Sequence, residues 1–165
     1  LSKKQKDPRG FVITLAFGNG EETSDMLDLG TGINHMTLAV YHRLGLRELK
    51  PTKMCLQLTY HSLRHPEGIV EDVLVRVGKL IVPVDFVVLD VGSVQENGKE
   101  HAILLGRPFM VTTSIVIDVK KRTTSMTVLG ESIAVSVRET RPEQHANLVE
   151  ECAYLWAIEH VTPRS

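Results

Sequence analysis

A mainly β domain with one short helix near residues 37–45 is the fold class the sequence predicts, on three observations. Apolar residues recur at every second position in several short runs, and glycine-containing turns separate those runs. Within the core region one stretch, Thr37 to Leu44, spaces its apolar residues three apart. With 165 residues, 42% of them hydrophobic, the chain can bury one real core and is too short for two ordinary domains.

Residues 1–9 are basic and polar, end in Asp7-Pro8-Arg9 and read as a linking leader. Phe11, Ile13, Leu15 and Phe17 then alternate with Val12, Thr14 and Ala16 as a strand does, and Gly18-Asn19-Gly20 tolerates the positive φ of a hairpin turn. A second strand runs into Met26-Leu27-Asp28. In the helix, Leu38, Tyr41 and Leu44 share a face, Thr37 caps the start and Gly45 takes the left-handed position at the end.

After Pro51, Met54, Leu56 and Leu58 fall on one face of a strand, with a polar turn at Tyr60-His61-Ser62. The period resumes beyond His65-Pro66 in Val73, Val75 and Val77, and Gly78-Lys79 has the spacing of a type II′ hairpin into a strand from Leu80 to Val91. Gly92 to His101 is polar and reads as a surface loop. Apolar Ala102 to Leu105, a break at Gly106, and strands around Ile115–Val119, Ser125–Val128 and Ile133–Val137 follow, the last after a Gly130-Glu131 turn. From Arg138 the β pattern stops. The expected organisation is a core domain over 10–137 and a linker or weak C-terminal helix over 138–165, the helix carried by Leu148, Cys152, Leu155 and Trp156.

Charge excludes some functions. The net charge of -1 balances 19 basic against 20 acidic residues, so no global field draws the chain to nucleic acid or an anionic membrane. No run approaches the roughly 18 apolar residues of a membrane helix, and the start, Leu1-Ser2-Lys3-Lys4-Gln5-Lys6, lacks the apolar core of a signal peptide. Cys55 and Cys152 have no paired spacing and suit free thiols in an intracellular, cytoplasmic compartment. A first residue of Leu rather than Met reads as a fragment of something longer.

One segment carries chemistry. In Asp28-Leu29-Gly30-Thr31-Gly32 a carboxylate follows a strand, and Gly30 and Gly32 let the backbone fold beneath it and aim amides at it. Taken alone, the triplet reads as an ordinary turn acid beside a glycine.

Five blocks in order change that reading: Asp28 to Met36, Leu44 to Thr52, Pro66 to Val75, Pro83 to Asp90, and Ile103-Leu104-Leu105-Gly106-Arg107-Pro108-Phe109. Over about residues 10–137 the chain resembles the retropepsin-like aspartic protease domain of gypsy-type LTR-retrotransposon polyproteins, particularly a plant subgroup. The resemblance implies a closed, mainly β fold that works as a homodimer, each chain giving one aspartate and one flap hairpin over a shared cleft. It makes Asp28 the catalytic residue, Leu29, Gly30, Thr31 and Gly32 the active-site loop, and the hairpin around Leu58 to His65 the flap, with Tyr60, His61 and Ser62 near its tip. Leu104, Leu105, Gly106 and Arg107 match the second signature, whose apolar residues pack beneath the loop. The implied substrate is a peptide or polyprotein, with no cofactor, metal, direct nucleic-acid partner or membrane.

Two departures stand out. Active retropepsins usually carry Ser or Thr after the aspartate, and its hydroxyl braces both loops across the dimer; Leu29 cannot do this, although leucine is usual in the plant subgroup. Gly32 stands where many have an acid that pairs with the second-signature arginine, so Arg107 is expected to bond backbone carbonyls or lie exposed, with no catalytic role. The two readings are therefore an endopeptidase and a catalytically inactive dimerisation or peptide-binding module of the same fold.

Other candidates have plainer explanations. His61 and His65 have a helical metal spacing but sit in a β context beside Pro66. Gly18-Asn19-Gly20 is too short for a dinucleotide fingerprint. Asp25 and Asp28 point to opposite faces of one strand, and the valines from 73 to 91 are core rather than a ligand stripe.

Overall fold

The structure, a computed structural model, describes residues 10–57, 63–96 and 99–140. Strands β1 (Gly10–Phe17) and β2 (Glu22–Asp28) form the first hairpin, in register from Gly10↔Asp28 to Ala16↔Glu22. Phe11, Ile13, Leu15 and Phe17 all enter the main core, as the alternation predicts. Each such burial contributes roughly 2 kcal/mol relative to exposure.

Strand β3 (His35–Thr37) leads into α1 (Leu38–Arg43). The helix starts where expected because Thr37 Oγ1 accepts from the Val40 amide at 3.3 Å, and it ends before Gly45 at φ +59°. Strands β4 (Leu56–Gln57) and β5 (Leu63–Arg64) pair antiparallel. Of the strand expected through Met54, Leu58 lies outside the described residues, and among the described ones only Leu56–Gln57 pairs, although Met54 is buried. Its packing is side-chain packing without a ladder.

Strands β6 (Gly68–Val77) and β7 (Leu80–Leu89) form the longest hairpin, turning at Gly78 with φ +56°. A bulge at Asp72, φ +54°, shifts the register between Val70 and Val73. Val73, Val75, Val77, Leu80, Val82 and Val84 all lie in the main core, so the valine stripe is packing.

Four sequence expectations need correction. The stretch read as a loop from Gly92 to His101 contains β8 (Val94–Glu96) and β9 (Lys99–His101), a paired hairpin. Its residues are polar, so hydrophobic alternation was silent, whereas Asn97-Gly98 between the strands is a strong hairpin signal. After β10 (Ile103–Leu105), a second short helix, α2 (Arg107–Thr112), accompanies the expected one. Only Phe109 and Met110 of it are buried, too few to show a period, and Pro108 near its start was the available signal.

Strands β11 (Val116–Asp118), β12 (Thr123–Val128) and β13 (Glu131–Ser136) form a separate three-stranded sheet. The turn before β13 is at Leu129-Gly130, φ +49° and +81°, one residue earlier than expected. Finally, β14 (Arg138–Thr140) continues the core past 137 by pairing with β1. Backbone pairing needs no apolar alternation, so exposed Arg138 and Glu139 left no pattern to read. The expected tail helix falls on residues 141–165, and Cys152 with it, outside the described residues.

The order β1-β2-β10-β3-β7-β6, with β1 also pairing β6 through Ala16↔Arg76 and Phe17↔Val75, closes a six-stranded barrel. Within it β2 runs parallel to β10 and β3 parallel to β7. That topology brings the Asp28 end of β2 beside Leu105-Gly106 at the end of β10.

Candidate active site

Asp28 is the last residue of β2, and the chain turns immediately after it. Its Oδ1 accepts a short hydrogen bond from the Gly30 amide, at 2.6 Å. The carboxyl is covered in the single chain, at 1% exposure, while Leu29 beside it is 51% exposed. Asp28 therefore lies directly beneath an exposed loop tip.

The other bonds within the loop are long: Thr31 N to Asp28 O is 3.5 Å, and Thr31 Oγ1 meets both the amide and carbonyl of Ile33 at 3.4 Å. Short bonds come from outside it. The Arg107 amide donates to Thr31 O at 2.9 Å, the Gly106 amide to Asn34 Oδ1 at 2.8 Å, and the Val87 amide to Asn34 O at 2.8 Å.

The second-signature residues lie under this loop. Leu104 and Leu105 pair in parallel with Met26 and Leu27 and are fully buried. Gly106 is packed so tightly that a Cβ there would stand 2.2 Å from Ile33 O and 2.7 Å from Thr31 O, so only glycine fits. Arg107 is exposed and its Nη1 reaches Leu29 O at 3.5 Å, the backbone-carbonyl role expected where Gly32 supplies no acid.

Asn34 is the residue to which sequence reading assigned no role. It is buried, and besides accepting from Gly106 it donates through Nδ2 to Asp85 O at 3.3 Å. It sat inside a quoted motif, but a polar side chain bonding partners far away in sequence leaves no local signature. Beyond Asn34 lies a cavity of about 500 Å³ whose lining includes Ile33, Met54, Val87 and Phe109 but not Asp28.

Asp25 stands apart from Asp28, as strand alternation requires: it pairs across from Ile13 on the Leu27 side of β2, with Asp28 on the Met26 side. Burial pushes its carboxyl up to about 7, against the lowering effects of the Thr23 hydroxyl that donates to it and the charges of His101 and Arg43. His101 is itself buried, with Nδ1 2.8 Å from Ser24 O.

The residues expected at the flap tip, Tyr60, His61 and Ser62, lie outside the described residues. His65 is exposed and Cys55 is a free thiol. Among the described residues no group of three or more His, Cys, Asp or Glu side chains is arranged to hold a metal ion, and no helix is long and apolar enough to cross a membrane.

No protein-family model matches the chain, and no curated protein matches it in sequence. Solved structures do. The crystal structure of the retroviral protease-like domain of Ddi1 from Leishmania major superposes with a TM-score of 0.56 at 16% identity, covering 78% of this chain and 95% of that one. With its closed six-stranded barrel and this likeness, the chain has a retropepsin-like fold.

Proposed function

We propose that this chain is the aspartic endopeptidase domain of a gypsy-type retrotransposon polyprotein, acting as a homodimer with one Asp28 from each copy. The observation that carries the reading is the Asp28 carboxylate at a barrel strand end, held by the Gly30 amide at 2.6 Å over a glycine that admits no side chain. The retropepsin-like fold supports it.

Two facing carboxylates cannot both ionise easily, so the pair shares a proton and titrates as a unit. The ionised member takes a proton from a water that adds to the peptide carbonyl, and the protonated member donates to the carbonyl oxygen. Collapse of the resulting diol breaks the C–N bond as the leaving nitrogen is protonated. The Gly30 amide donates to Asp28 Oδ1 and fixes the orientation of the carboxyl. The β4–β5 hairpin is the flap, and the substrate is an extended, largely apolar stretch of polyprotein.

A second reading rests on Leu29, which is exposed and has no hydroxyl to brace the partner loop: a retropepsin-like dimerisation or peptide-binding module without catalysis. One experiment separates the two. A recombinant fragment spanning the domain and its flanks is incubated from mildly acidic to neutral pH, wild type beside Asp28→Asn. Cleavage by the wild type alone supports the endopeptidase. Dimers that cleave nothing in either form favour the module.

A further inference from the structure

We propose that Asn34 is a positioning residue for Asp28, an inference that rests on the reading of Asp28 as catalytic. The argument starts from the unequal hydrogen bonds of the loop. Apart from the carboxylate's own bond to Gly30, the bonds inside it measure 3.4–3.5 Å and hold it weakly. Three bonds of 2.8–2.9 Å tie the loop and its exit to the barrel, and two of them end on Asn34.

Asn34 uses both ends of its amide. Oδ1 accepts from Gly106 and Nδ2 donates to Asp85 O, and since one partner only donates and the other only accepts, a flipped amide would lose both bonds. Its own carbonyl accepts from Val87 on β7. Asn34 therefore links three segments that sequence keeps far apart: the exit of the Asp28 loop, the end of β10 and the middle of β7. No other described side chain hydrogen-bonds both Gly106 and β7 in this way.

The consequence is geometric. Gly106 touches Thr31 and Ile33 with no room for a methyl group, so the height of Gly106 sets the height of the loop, and Asn34 holds Gly106. Releasing it lets the loop rise and changes how the Gly30 amide meets Asp28. Asn34 never touches substrate; it acts through Gly106 and the loop.

The test follows the backbone amide signal of Gly30 through a pH titration by NMR, because that amide reports the protonation of Asp28 directly. Wild type, Asn34→Ala and Thr124→Val are compared as full chains in the same oligomeric state. Thr124 is a control: its buried side chain loses a hydrogen bond, to Val116 O, on the separate sheet. The Gly30 midpoint in Asn34→Ala is expected to move by about half a pH unit or more, with kcat down about tenfold or more and KM within about threefold, while Thr124→Val leaves both unchanged. An unchanged Gly30 titration in Asn34→Ala overturns the proposal whatever the kinetics do. If Asn34→Ala does not fold, Asn34→Ser, neutral and too short to reach both Gly106 and Asp85, is read by the same two outcomes. A wild type that cleaves nothing removes the protease reading alone, since the Gly30 titration still decides what Asn34 does.

Discussion

The Gly106 amide donates to the Asn34 side-chain oxygen at 2.8 Å across a sequence separation of 72 residues. The bond is buried, and it joins the two segments that bracket Asp28 from below. A loop held from outside in this way responds strongly to changes beneath it and weakly to changes at its exposed tip.

Gly106→Ala is accordingly expected to be severe. The added methyl would stand 2.2 Å from Ile33 O and 2.6 Å from Thr31 Cγ2, with backbone on one side that cannot move aside. A loss of about 3 kcal/mol is expected, read as a lower urea midpoint at unchanged slope.

Leu29 should behave in the opposite way. It is 51% exposed, so replacing it costs the monomer only about 0.5 kcal/mol or less. Leu29→Thr supplies a hydroxyl at the tip of each loop, where two copies meet in the proposed dimer. Sedimentation should show a tighter dimer, and kcat/KM should rise; equal dimer affinity in both forms would mean that the loops do not face each other.

A shared site also predicts concentration dependence. Specific activity should fall on dilution below the dimer dissociation constant, and the pH-rate profile should be bell-shaped and acid-shifted, as a carboxylate pair sharing one proton requires. Activity independent of dilution, with only monomers in solution, would contradict the shared site.

Asp25 predicts a pH effect on stability that is separate from catalysis. Burial raises its folded-state pKa to about 7 from 3.8. Below the lower value both folded and unfolded chains are protonated there, and the contribution to stability is fully present. Between the two values the folded chain keeps a proton that the unfolded chain has released, so stability falls as pH rises and levels off above about 7. The fall is on the order of 4 kcal/mol at most. Urea midpoints for wild type and Asp25→Asn at pH 4.5, 6 and 7.5 should differ in slope, with the variant flatter; parallel slopes would show that Asp25 does not keep its proton on folding.

At the start of α1, Thr37→Ala removes the hydroxyl that accepts from Val40 and should cost about 1 kcal/mol. Thr37→Ser should recover most of it in the same unfolding assay.

The sequence by itself determined the strands that carry strict alternation, such as Phe11 to Phe17 and Leu80 to Leu89, and the cap and end of α1, because period, turn and capping chemistry act over a few neighbouring residues. It also marked Asp28 at a strand end beside two glycines, since a tight turn under a carboxylate demands small residues locally. Polar β8 and β9, short α2 and edge strand β14 escaped, because backbone pairing and a few buried side chains leave no hydrophobic rhythm. Tertiary structure alone decided that β2 and β10 lie side by side, that Asn34 carries Gly106 and that Asp25 is sealed at the Ile13 side of its strand. Those are contacts between residues far apart in the chain, and the polar groups that make them look on paper like any solvated side chain until the closed barrel removes water from around them.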